Sequence, residues 1–394
     1  MERTQVAIVG AGPAGLLLAH LLDRRGIESV VLESRSRSYV ERRVRAGVLE
    51  AGAARLLRES GVGARLDREG LAHGGIHLHF AGERHRIDFE ALCGRGILVY
   101  GQQEVVKDLI AARVARGGPL LFEAEAVGIE GRLGASPTVT YRRAGSDRTL
   151  AADFVAACDG SHGVGRGALL AAGARVFERT YPHAWLGLLA RTPPAVEELI
   201  YAYHEHGFAL HSLRSPEISR LYLQVEPDAD VGGWRELRVW EELRLRLDEP
   251  SLEPGEILEM GVTPMRALVV EPMQAGRLFL AGDAAHVVPP TGAKGMNLAL
   301  ADVAVLADAL GEWYESHSRA LLDAYSATCA PRVWRTQRFS AFMTELLHRD
   351  VPDDPFAHRL RLAYLRHVVS SRAAATSLAE NYTGAATDRA DAVL

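Results

Sequence analysis

The sequence contains few cysteines, and those it has lie far apart. Of 394 residues, 3 are cysteine (Cys93, Cys158 and Cys329), and they form neither a CxxC pair nor a zinc-ligand pattern. An odd, scattered set of thiols is typical of a reducing compartment. The cysteine content therefore predicts a cytoplasmic protein, and it gives no indication of a metal site.

A strong charge imbalance and an uninterrupted apolar segment are also missing. The formal net charge is -5 and the pI is near 6.3, which gives no indication of a nucleic-acid or membrane partner. Three glycines and a proline interrupt the apolar stretch 6–22, and two aspartates interrupt 298–310. Neither pattern is that of a signal peptide or a membrane span. We therefore expect a globular protein of two or three domains.

The N-terminal segment has a strand–turn–helix–strand pattern. Residues 5–9 are apolar and β-branched, which predicts a short buried strand. Residues 14–25 predict a helix that Gly26 terminates, and residues 29–32 predict a second strand. Together they form a βαβ unit.

A GxGxxG turn joins the first strand to the helix. In Gly10-Ala11-Gly12-Pro13-Ala14-Gly15, Gly10 permits the tight turn, Gly12 lets the backbone approach a pyrophosphate, and Gly15 allows close helix–strand packing. The helix N-terminus offers free N–H groups to a phosphate. Glu33 ends the next strand, where an acid binds a pair of ribose hydroxyls. This order predicts a bound dinucleotide, either NAD or FAD.

Residues 282–297, GDAAHVVPPTGAKGMN, end in a pattern that could be mistaken for a phosphate-binding P-loop. The spacing is not GxxxxGK[ST], and glycine follows the lysine, so the P-loop is excluded. Instead, a predicted strand at 277–280 leads to Asp283, and a helix is predicted to begin near Met296. An aspartate there could hold ribityl or ribose hydroxyls, or it could be a plain helix N-cap.

Motifs in the order GAGPAG (10–15), CDG (158–160) and GDAAH (282–286) resemble those of the flavoprotein aromatic hydroxylases. Further segments that resemble this family are RAGVLE (45–50), YGQ (100–102), CDGSHG (158–163), YPHAWLGLLA (181–190), PPTGAKGMN (289–297) and AENYTG (379–384). The resemblance runs from end to end. It implies that residues 282–297 belong to a flavin site.

The resemblance and the element pattern together predict an α/β protein, α+β overall. Residues 1–175, completed by 265–300, are expected to form a Rossmann-like FAD-binding domain. Residues 176–264, rich in strand-like segments, are expected to form an inserted substrate-binding β-sheet domain. Residues 301–394 are expected to be a helical C-terminal region. Helices are also predicted at 48–59, 102–115 and 235–247, strands at 75–89 and 154–158, and a hairpin at 139–150.

The resemblance implies which residues hold FAD. The set is Gly10, Gly12, Ala14, Gly15, Glu33, Arg43, Arg45, Gln102, Asp283, Met296 and Asn297. Arginine near a phosphate is chemically reasonable because its planar fork pairs with anions through two hydrogen bonds. From the local sequence alone, Arg42, Arg43 and Arg45 would be a solvated basic face.

The resemblance further implies hydroxylation of 4-hydroxybenzoate at the 3-position, through a flavin C4a-hydroperoxide and a substrate phenolate. Ser212, Arg214 and Tyr222 would bind the carboxylate, with Arg214 as the anchor. Tyr201 would meet the substrate hydroxyl together with the Pro290 carbonyl, and Tyr382 and His73 would continue a proton relay to solvent. Taken singly, the tyrosines would pass as core residues, and Arg214 and His73 as surface residues.

The electron donor is expected to be NADH or NADPH. Residues that the resemblance places at the nicotinamide nucleotide are Arg35, Tyr39, Arg43, His162, Arg166 and Arg266, and Arg220 corresponds to a residue linked to flavin movement. NADPH-dependent members have Arg-Gln where this chain has Ser34-Arg35. Loss of that arginine removes one cation near a 2′-phosphate, so we predict relaxed specificity or a preference for NADH.

The sequence is also compatible with other functions. The same chemistry could act on 3-hydroxybenzoate, an aminobenzoate or 3,4-dihydroxybenzoate. An NAD-linked dehydrogenase would use only the GxGxxG turn, and it would be colourless. A non-enzymatic nucleotide-binding module would leave the carboxylate-binding set unexplained. The resemblance also suggests a homodimer that uses the C-terminal helices, with O2 and an aromatic acid as small-molecule partners.

Overall fold

The computed structural model describes residues 2–132, 134, 136–349 and 354–384. The strands are β1 (Glu2–Val9), β2 (Ser29–Leu32), β3 (Val48–Leu49), β4 (Leu71–His73), β5 (Gly75–Phe80), β6 (Glu83–Asp88), β7 (Ile97–Val99), β8 (Leu120–Leu121), β9 (Ala124–Glu130), β10 (Thr138–Arg143), β11 (Ser146–Ala157), β12 (Arg175–Arg191), β13 (Leu199–Tyr203), β14 (Ala209–Ser215), β15 (Ile218–Val225), β16 (Glu256–Glu271), β17 (Gln274–Ala275), β18 (Leu278–Leu280) and β19 (His286–Val287). The helices are α1 (Pro13–Asp23), α2 (Arg37–Arg42), α3 (Ala51–Glu59), α4 (Ala64–Glu69), α5 (Phe89–Cys93), α6 (Gln102–Ala115), α7 (Val164–Leu170), α8 (Glu236–Leu247), α9 (Gly295–Ser316), α10 (Ala320–Leu347), α11 (Pro355–Ser370) and α12 (Arg372–Thr383).

The first sheet has the strand order β17-β18-β11-β1-β2-β8, with the β9–β10 hairpin attached to β11. Its strands β18, β11, β1, β2 and β8 run parallel to one another. Helices α1, α6 and α9 contribute apolar residues to the core cluster that includes β1. The predicted α/β class is confirmed, because an open parallel sheet needs helices to cover it.

Parallel pairing brings four sequence motifs to one edge of this sheet. Val9 pairs with Leu32 and Ala157, and Ala157 pairs with Leu280, so these strands end at the same level. The residues that follow are the Gly10 turn, Glu33, Cys158-Asp159 and Gly282-Asp283. Ligands of open α/β sheets bind outside the carboxyl ends of the strands.

The second sheet has the order β19-β16-β12-β15-β14-β13-β5-β6 and is antiparallel except for β13 with β5. One face packs on α8 through Val239, Trp240 and Leu243. The other face packs on α10, α11 and α12. Strands β5 and β6 fall within residues 1–175, so this sheet draws on more than the segment 176–264 predicted for it.

The helix predicted from residue 48 begins three residues later, at Ala51. Val48 and Leu49 instead pair with Val99 and Leu98 in the small sheet β3-β7-β4. Tertiary pairing overrides the helical pattern at these positions. Helix α6 has the bounds predicted for it.

The chain is mostly helical from Gly295 onward, as predicted, through α9 to α12. Helices α10 and α12 place Phe339, Met343 and Tyr382 in the same apolar cluster as Tyr201 of β13. Among the described residues, no helix is both long enough and apolar enough to cross a membrane.

Candidate active site

The GxGxxG turn has the backbone geometry that its glycines predict. Gly10 has φ +100°, and a Cβ there would lie 2.4 Å from the Cys158 carbonyl oxygen. A Cβ on Gly15 would lie 2.0 Å from the Gly10 carbonyl oxygen, so the backbone of α1 approaches the turn too closely for any side chain at Gly15. A Cβ on Gly12 would meet no atom within 4 Å, because Gly12 borders a cavity. Side chains at Gly10 and Gly15 would therefore break the turn.

Glu33 stabilises the same turn from the neighbouring strand. One carboxylate oxygen accepts a hydrogen bond from the Ala11 backbone N–H at 2.8 Å, and the other accepts one from Arg35 N–H at 2.8 Å. The carboxylate also lines the cavity beside Gly12. Its remaining lone pairs are available to hydroxyl donors, as a ribose would require.

A cavity of about 490 Å³ lies at the carboxyl edge of the first sheet. Predicted FAD residues that line it are Gly10, Gly12, Ala14, Glu33, Arg43, Arg45, Gln102, Asp283 and Met296. Predicted nicotinamide residues that line it are Arg35, Tyr39, Arg43 and His162. The turn, the acid and the arginines fit a dinucleotide with an anionic pyrophosphate.

Two predicted nicotinamide residues do not line this cavity. Arg166 donates hydrogen bonds to the carbonyls of Ser161, Asp283 and Ala284, so it ties the β11 and β18 edges together. Arg266 lies 3.7 Å from Glu178 on the neighbouring strand. Burial, followed by the charge of the nearby Arg266, lowers the pKa of Arg166.

Asn297 lies on the opposite side of α9 from the nucleotide cavity. Its side-chain oxygen accepts a hydrogen bond from Glu50 N–H at 2.9 Å, and its amide donates to the Val48 carbonyl at 2.9 Å. The side chain therefore joins the start of α9 to β3. These hydrogen bonds position the start of α9 at Met296-Asn297.

Arg43, Arg45 and Arg220 form a cationic group next to the nucleotide cavity. Burial, followed by the charges of Arg43 and Arg220, lowers the pKa of Arg45. Arg220 donates to the Tyr222 hydroxyl at 3.3 Å and lies 3.6 Å from Glu259. Three cations held this close favour an anion between them.

Asp302 is a buried acid that the sequence pattern did not single out as functional. It is 0% exposed, accepts a hydrogen bond from His286 at 2.5 Å, and accepts one from Gly282 N–H at 3.1 Å. Arg332 lies 3.4 Å from its second oxygen. Although burial opposes its charge, these partners hold the pKa of Asp302 below its ordinary value. Asp302 thus fixes the backbone that presents Asp283.

The predicted substrate residues lie on one face of the second sheet. Tyr201 pairs with Leu210, Leu210 with Tyr222, and Ser212 with Arg220. Paired residues, and residues two apart on a strand, point to the same side. Tyr201, Ser212, Arg214 and Tyr222 therefore share the face that packs on α10 and α12.

Arg214 is placed on this face by its neighbour Ser212. Its guanidinium donates to the Ser212 hydroxyl at 2.8 Å and to the Leu213 carbonyl at 3.0 Å. Within the described part of the chain its Nε is buried without a hydrogen-bond partner. Burial lowers the pKa of Arg214, and tyrosine hydroxyls rather than carboxylates favour its charge. An incoming carboxylate would satisfy this cation.

Tyr201 and Tyr382 are joined directly. Their hydroxyl oxygens are 2.6 Å apart, and both side chains are 1% exposed. Burial raises the pKa of Tyr201 well above its ordinary value, and the neighbouring Tyr382 raises it further. Burial likewise raises the pKa of Tyr382. Both phenols are thus protonated near neutral pH and can hand a proton along the bond that joins them.

Lys294 is a second residue that the sequence reasoning missed. Its ammonium donates to Glu50 at 2.5 Å and to the Tyr382 carbonyl at 2.8 Å, and the residue is 4% exposed. The signal in the sequence is its rarity, since Lys107 is the other lysine of the chain. A buried cation here places a fixed positive charge beside Tyr382.

Among the described residues, Pro290 and His73 make no direct hydrogen bond to the tyrosine pair. The Pro290 carbonyl accepts one hydrogen bond, from Ala293 N–H at 2.9 Å, which leaves it a second lone pair. His73 is 3% exposed, and both of its ring nitrogens are buried without partners in the described residues. Their catalytic roles stay predictions.

Burial lowers the pKa of His73 to about 4 and that of His211 to about 4, against an ordinary value near 6.5. Between pH 6.5 and 4 the unfolded chain binds more protons than the folded one, so the free energy of unfolding falls on acidification. We expect His211→Gln to reduce the loss between pH 7 and 4.5 by about 2 kcal/mol. Urea unfolding at both pH values measures this loss.

Glutamine is the matched replacement at this position, because its carbonyl can accept the Ala195 N–H that His211 Nε2 accepts at 3.2 Å. It does not titrate. Equal pH slopes for the variant and the unaltered protein would show that His211 is not responsible.

Comparison with known proteins identifies the family. Residues 3–340 match the family described as FAD binding domain. Over 386 residues the chain is 47% identical to a p-hydroxybenzoate hydroxylase of Acinetobacter baylyi (strain ATCC 33305 / BD413 / ADP1), covering 97% of this chain and 95% of that protein. It is 28% identical over 358 residues to aklavinone 12-hydroxylase RdmE of Streptomyces purpurascens, covering 82% of this chain and 65% of that protein.

Solved structures show the same fold. The p-nitrophenol 4-monooxygenase PnpA from Pseudomonas putida DLL-E4 superposes with a TM-score of 0.85 at 21% identity, covering 98% of this chain and 99% of that one. The FAD-binding topology, the cavity at the carboxyl edge and the sequence matches agree with one another. The chain belongs to the class A flavoprotein hydroxylases, and it is an FAD-dependent aromatic hydroxylase.

Proposed function

We propose that the protein hydroxylates 4-hydroxybenzoate at the 3-position, giving 3,4-dihydroxybenzoate, with NADH or NADPH as electron donor and O2 as oxidant. The observation that carries this proposal is the shared sheet face, with the Arg214–Ser212 pair and the hydrogen-bonded Tyr201–Tyr382 pair. 4-Hydroxybenzoate has a carboxylate at one end of its ring and a hydroxyl at the other. The carboxylate matches the Arg214 cation, and the hydroxyl matches the phenol of Tyr201. The 47% identity to a p-hydroxybenzoate hydroxylase supports the same substrate.

Arg214 binds and orients the carboxylate. Its charge is buried and lacks a carboxylate partner within the described residues, so an uncharged phenol would leave it unpaired. That penalty gives selectivity for aromatic acids. Ser212 holds the guanidinium in place and Tyr222 adds a hydroxyl, which restricts the ring to one orientation.

FAD, once bound and reduced by the nicotinamide coenzyme, supplies the activation of O2. In the chain, the turn from Gly10 to Gly15 would hold the pyrophosphate and Glu33 the ribose hydroxyls. Asp283, presented by the Asp302 network, would hold the ribityl chain. The cations Arg43 and Arg45 would neutralise phosphate charge. Tyr201, Ser212 and Tyr382 are buried, so the substrate ring would be shielded from water.

Tyr201 and Tyr382 move the substrate's proton. The substrate hydroxyl would donate to Tyr201, whose hydroxyl passes a proton to Tyr382 across their 2.6 Å contact. The resulting phenolate has the electron-rich ortho carbon that an electrophilic oxygen requires. Because burial lowers the pKa of His73 to about 4, its ring is neutral at pH 7, and it would pass the proton on towards solvent by accepting at one nitrogen while it donates from the other.

The test is oxidation of NADH and NADPH by the FAD-loaded protein with and without 4-hydroxybenzoate, with the product identified by chromatography. We expect strong stimulation and 3,4-dihydroxybenzoate as the product. Stimulation without hydroxylated product would mean that the ring binds but is not oxidised. A yellow protein that 4-hydroxybenzoate does not stimulate would point instead to another aromatic acid, such as 3-hydroxybenzoate or an aminobenzoate.

Coenzyme choice is expected to depend on Ser34, which is exposed and lines the nucleotide cavity beside Glu33 and Arg35. We expect Ser34→Arg to raise the ratio of kcat/KM for NADPH over NADH roughly tenfold, because a guanidinium adds a charge-assisted bond to a 2′-phosphate. Steady-state kinetics with both coenzymes measures the ratio. Ser34→Gln, which adds length without charge, is the control and should leave the ratio unchanged. A preference for NADPH in the unaltered protein would contradict the premise.

A homodimer is expected from the apolar surface of α11. Phe356, Leu360 and Tyr364 lie four residues apart in turn and are 72%, 57% and 43% exposed, so they form a stripe along one side of the helix. Sedimentation equilibrium should give twice the 42.8 kDa chain mass. Phe356→Ser combined with Leu360→Ser should shift the mass towards the monomer, whereas a dimer unaffected by both changes would place the interface elsewhere.

A further inference from the structure

A second cavity, of about 360 Å³, lies behind the first turns of α9. Among the described residues, it shares no lining residue with the nucleotide cavity. The start of α9 separates the two. Residues of this segment on the nucleotide side are Gly295, Met296 and Ala299, and those on the other side are Lys294, Asn297, Leu298 and Ala301.

This basic cavity has a strong excess of positive charge. The cations in its wall are Arg55, Arg95, Lys294, Arg332 and Arg335, and Glu50 is the one acid among its described lining residues. Glu50 is already paired with Lys294, Arg332 lies beside Asp302, and Arg55 lies 4.0 Å from Glu59, so part of the charge is balanced. The net formal charge of the cavity wall is still positive. Cavities lined by one sign of charge concentrate ions of the opposite sign.

The rest of the wall is suited to a flat apolar group. Leu56, Leu298 and Phe339 line it together with small alanines, and Asn381 and Thr383 add hydrogen-bonding groups. A site of a few hundred Å³ with apolar walls and a few charged groups is typical of small-molecule binding. We propose that the basic cavity binds a small aromatic carboxylate, as a site separate from the substrate face of the second sheet.

A ligand here would be linked to two parts of the active site through Lys294 and Arg332. Its carboxylate would compete with Glu50 for Lys294, whose ammonium also donates to the Tyr382 carbonyl. Lys294 lies 5.6 Å from the Tyr382 ring centre. On the opposite wall, Arg332 reaches the acid that holds Gly282. A bound ligand would therefore alter the surroundings of Tyr382 in the relay and of Gly282 in the loop that presents Asp283.

Equilibrium dialysis of the FAD-loaded full-length protein against radiolabelled 4-hydroxybenzoate tests the proposal. Arg214→Met removes the anchor of the substrate face, so label that still binds reports the basic cavity. We expect this variant to retain about one binding site per chain, and Arg335→Glu added to it to weaken that binding on the order of tenfold. Arg55→Glu on the facing helix α3 should act in the same way. Retention of FAD, read from the visible spectrum, shows that each variant is folded.

Arg338→Glu is the matched control, because Arg338 is exposed on the same helix as Arg335 and does not line the cavity. Absence of label on the Arg214→Met protein, or equal binding with Arg335→Glu and Arg338→Glu, overturns the proposal. Displacement of the label by inorganic phosphate but not by benzoate overturns the aromatic class. Binding that Arg335→Glu removes and Arg214→Met does not touch would support the basic cavity while contradicting the proposed substrate site.

Discussion

Replacing Arg214 by methionine should weaken binding of 4-hydroxybenzoate at the substrate face about 10²- to 10³-fold and, at the same time, make the ligand-free protein more stable. The loss follows because a buried charge pair contributes on the order of 2–5 kcal/mol to binding when one partner is removed. The gain follows because Arg214 is desolvated without a carboxylate partner among the described residues. Replacing such a charge with an apolar side chain of similar volume is expected to raise the free energy of unfolding by about 1–3 kcal/mol.

This prediction is tested by two measurements that should change in opposite directions, because affinity for the ligand should fall while stability should rise. Perturbation of the flavin spectrum by 4-hydroxybenzoate gives the dissociation constant, and urea unfolding without ligand gives the stability. Arg214→Lys is the control, because it retains the charge but not the planar fork. It should bind the acid with intermediate affinity and show no gain in stability. A methionine variant that is less stable would contradict the argument from desolvation, and one that binds the acid as tightly as the unaltered protein would contradict the role of Arg214 as anchor.

The nucleotide-binding half of the molecule could be predicted from the sequence because its signals are local. The turn from Gly10 to Gly15 needs glycine for reasons of backbone geometry, and the observed φ of +100° at Gly10 meets that requirement. The acid Glu33 follows directly from the end of β2. These features depend on neighbours in the chain, so a short segment contains the information.

The substrate face depends on strand pairing between distant segments, which local patterns do not encode. Arg214 has the local sequence of a surface residue, and Tyr201 that of a core residue. The antiparallel register of β13, β14 and β15 is what brings them to one side of the sheet. These assignments rested on the family resemblance. The addition of β5 and β6 to the same sheet was missed for the same reason.

The sequence did not indicate the importance of Asp302, Lys294 and the basic cavity, because it depends on which residues are buried in the folded protein. In the sequence, Asp302 interrupts an apolar segment at helical spacing, which indicates a core helix rather than a membrane span. In the structure it is 0% exposed and bonded to His286 and Gly282. A charged residue within an apolar helical pattern was the available signal. Its partners could not be named without the fold.

Replacing Tyr201 by phenylalanine should lower the formation of 3,4-dihydroxybenzoate per coenzyme oxidised by about 10²-fold, while coenzyme oxidation continues. The hydroxyl that is lost lies 2.6 Å from that of Tyr382, so the variant can no longer take the substrate's proton. Without the phenolate the ring is a poor nucleophile, so the O2 reduced at the expense of the coenzyme would be released as hydrogen peroxide instead. Chromatography of the product, together with a peroxide assay, measures the partition.

Tyr203→Phe is the matched control for this prediction. Tyr203 lies on the same strand and the same face, is 3% exposed, and bonds His358 at 2.7 Å rather than the relay. It should lose some stability but keep product formation coupled to coenzyme oxidation. If both variants uncouple equally, the cause is general disturbance of the sheet. If Tyr201→Phe remains coupled, the substrate proton leaves by another route, and the pair of buried tyrosines with raised pKa values is a packing feature of the core.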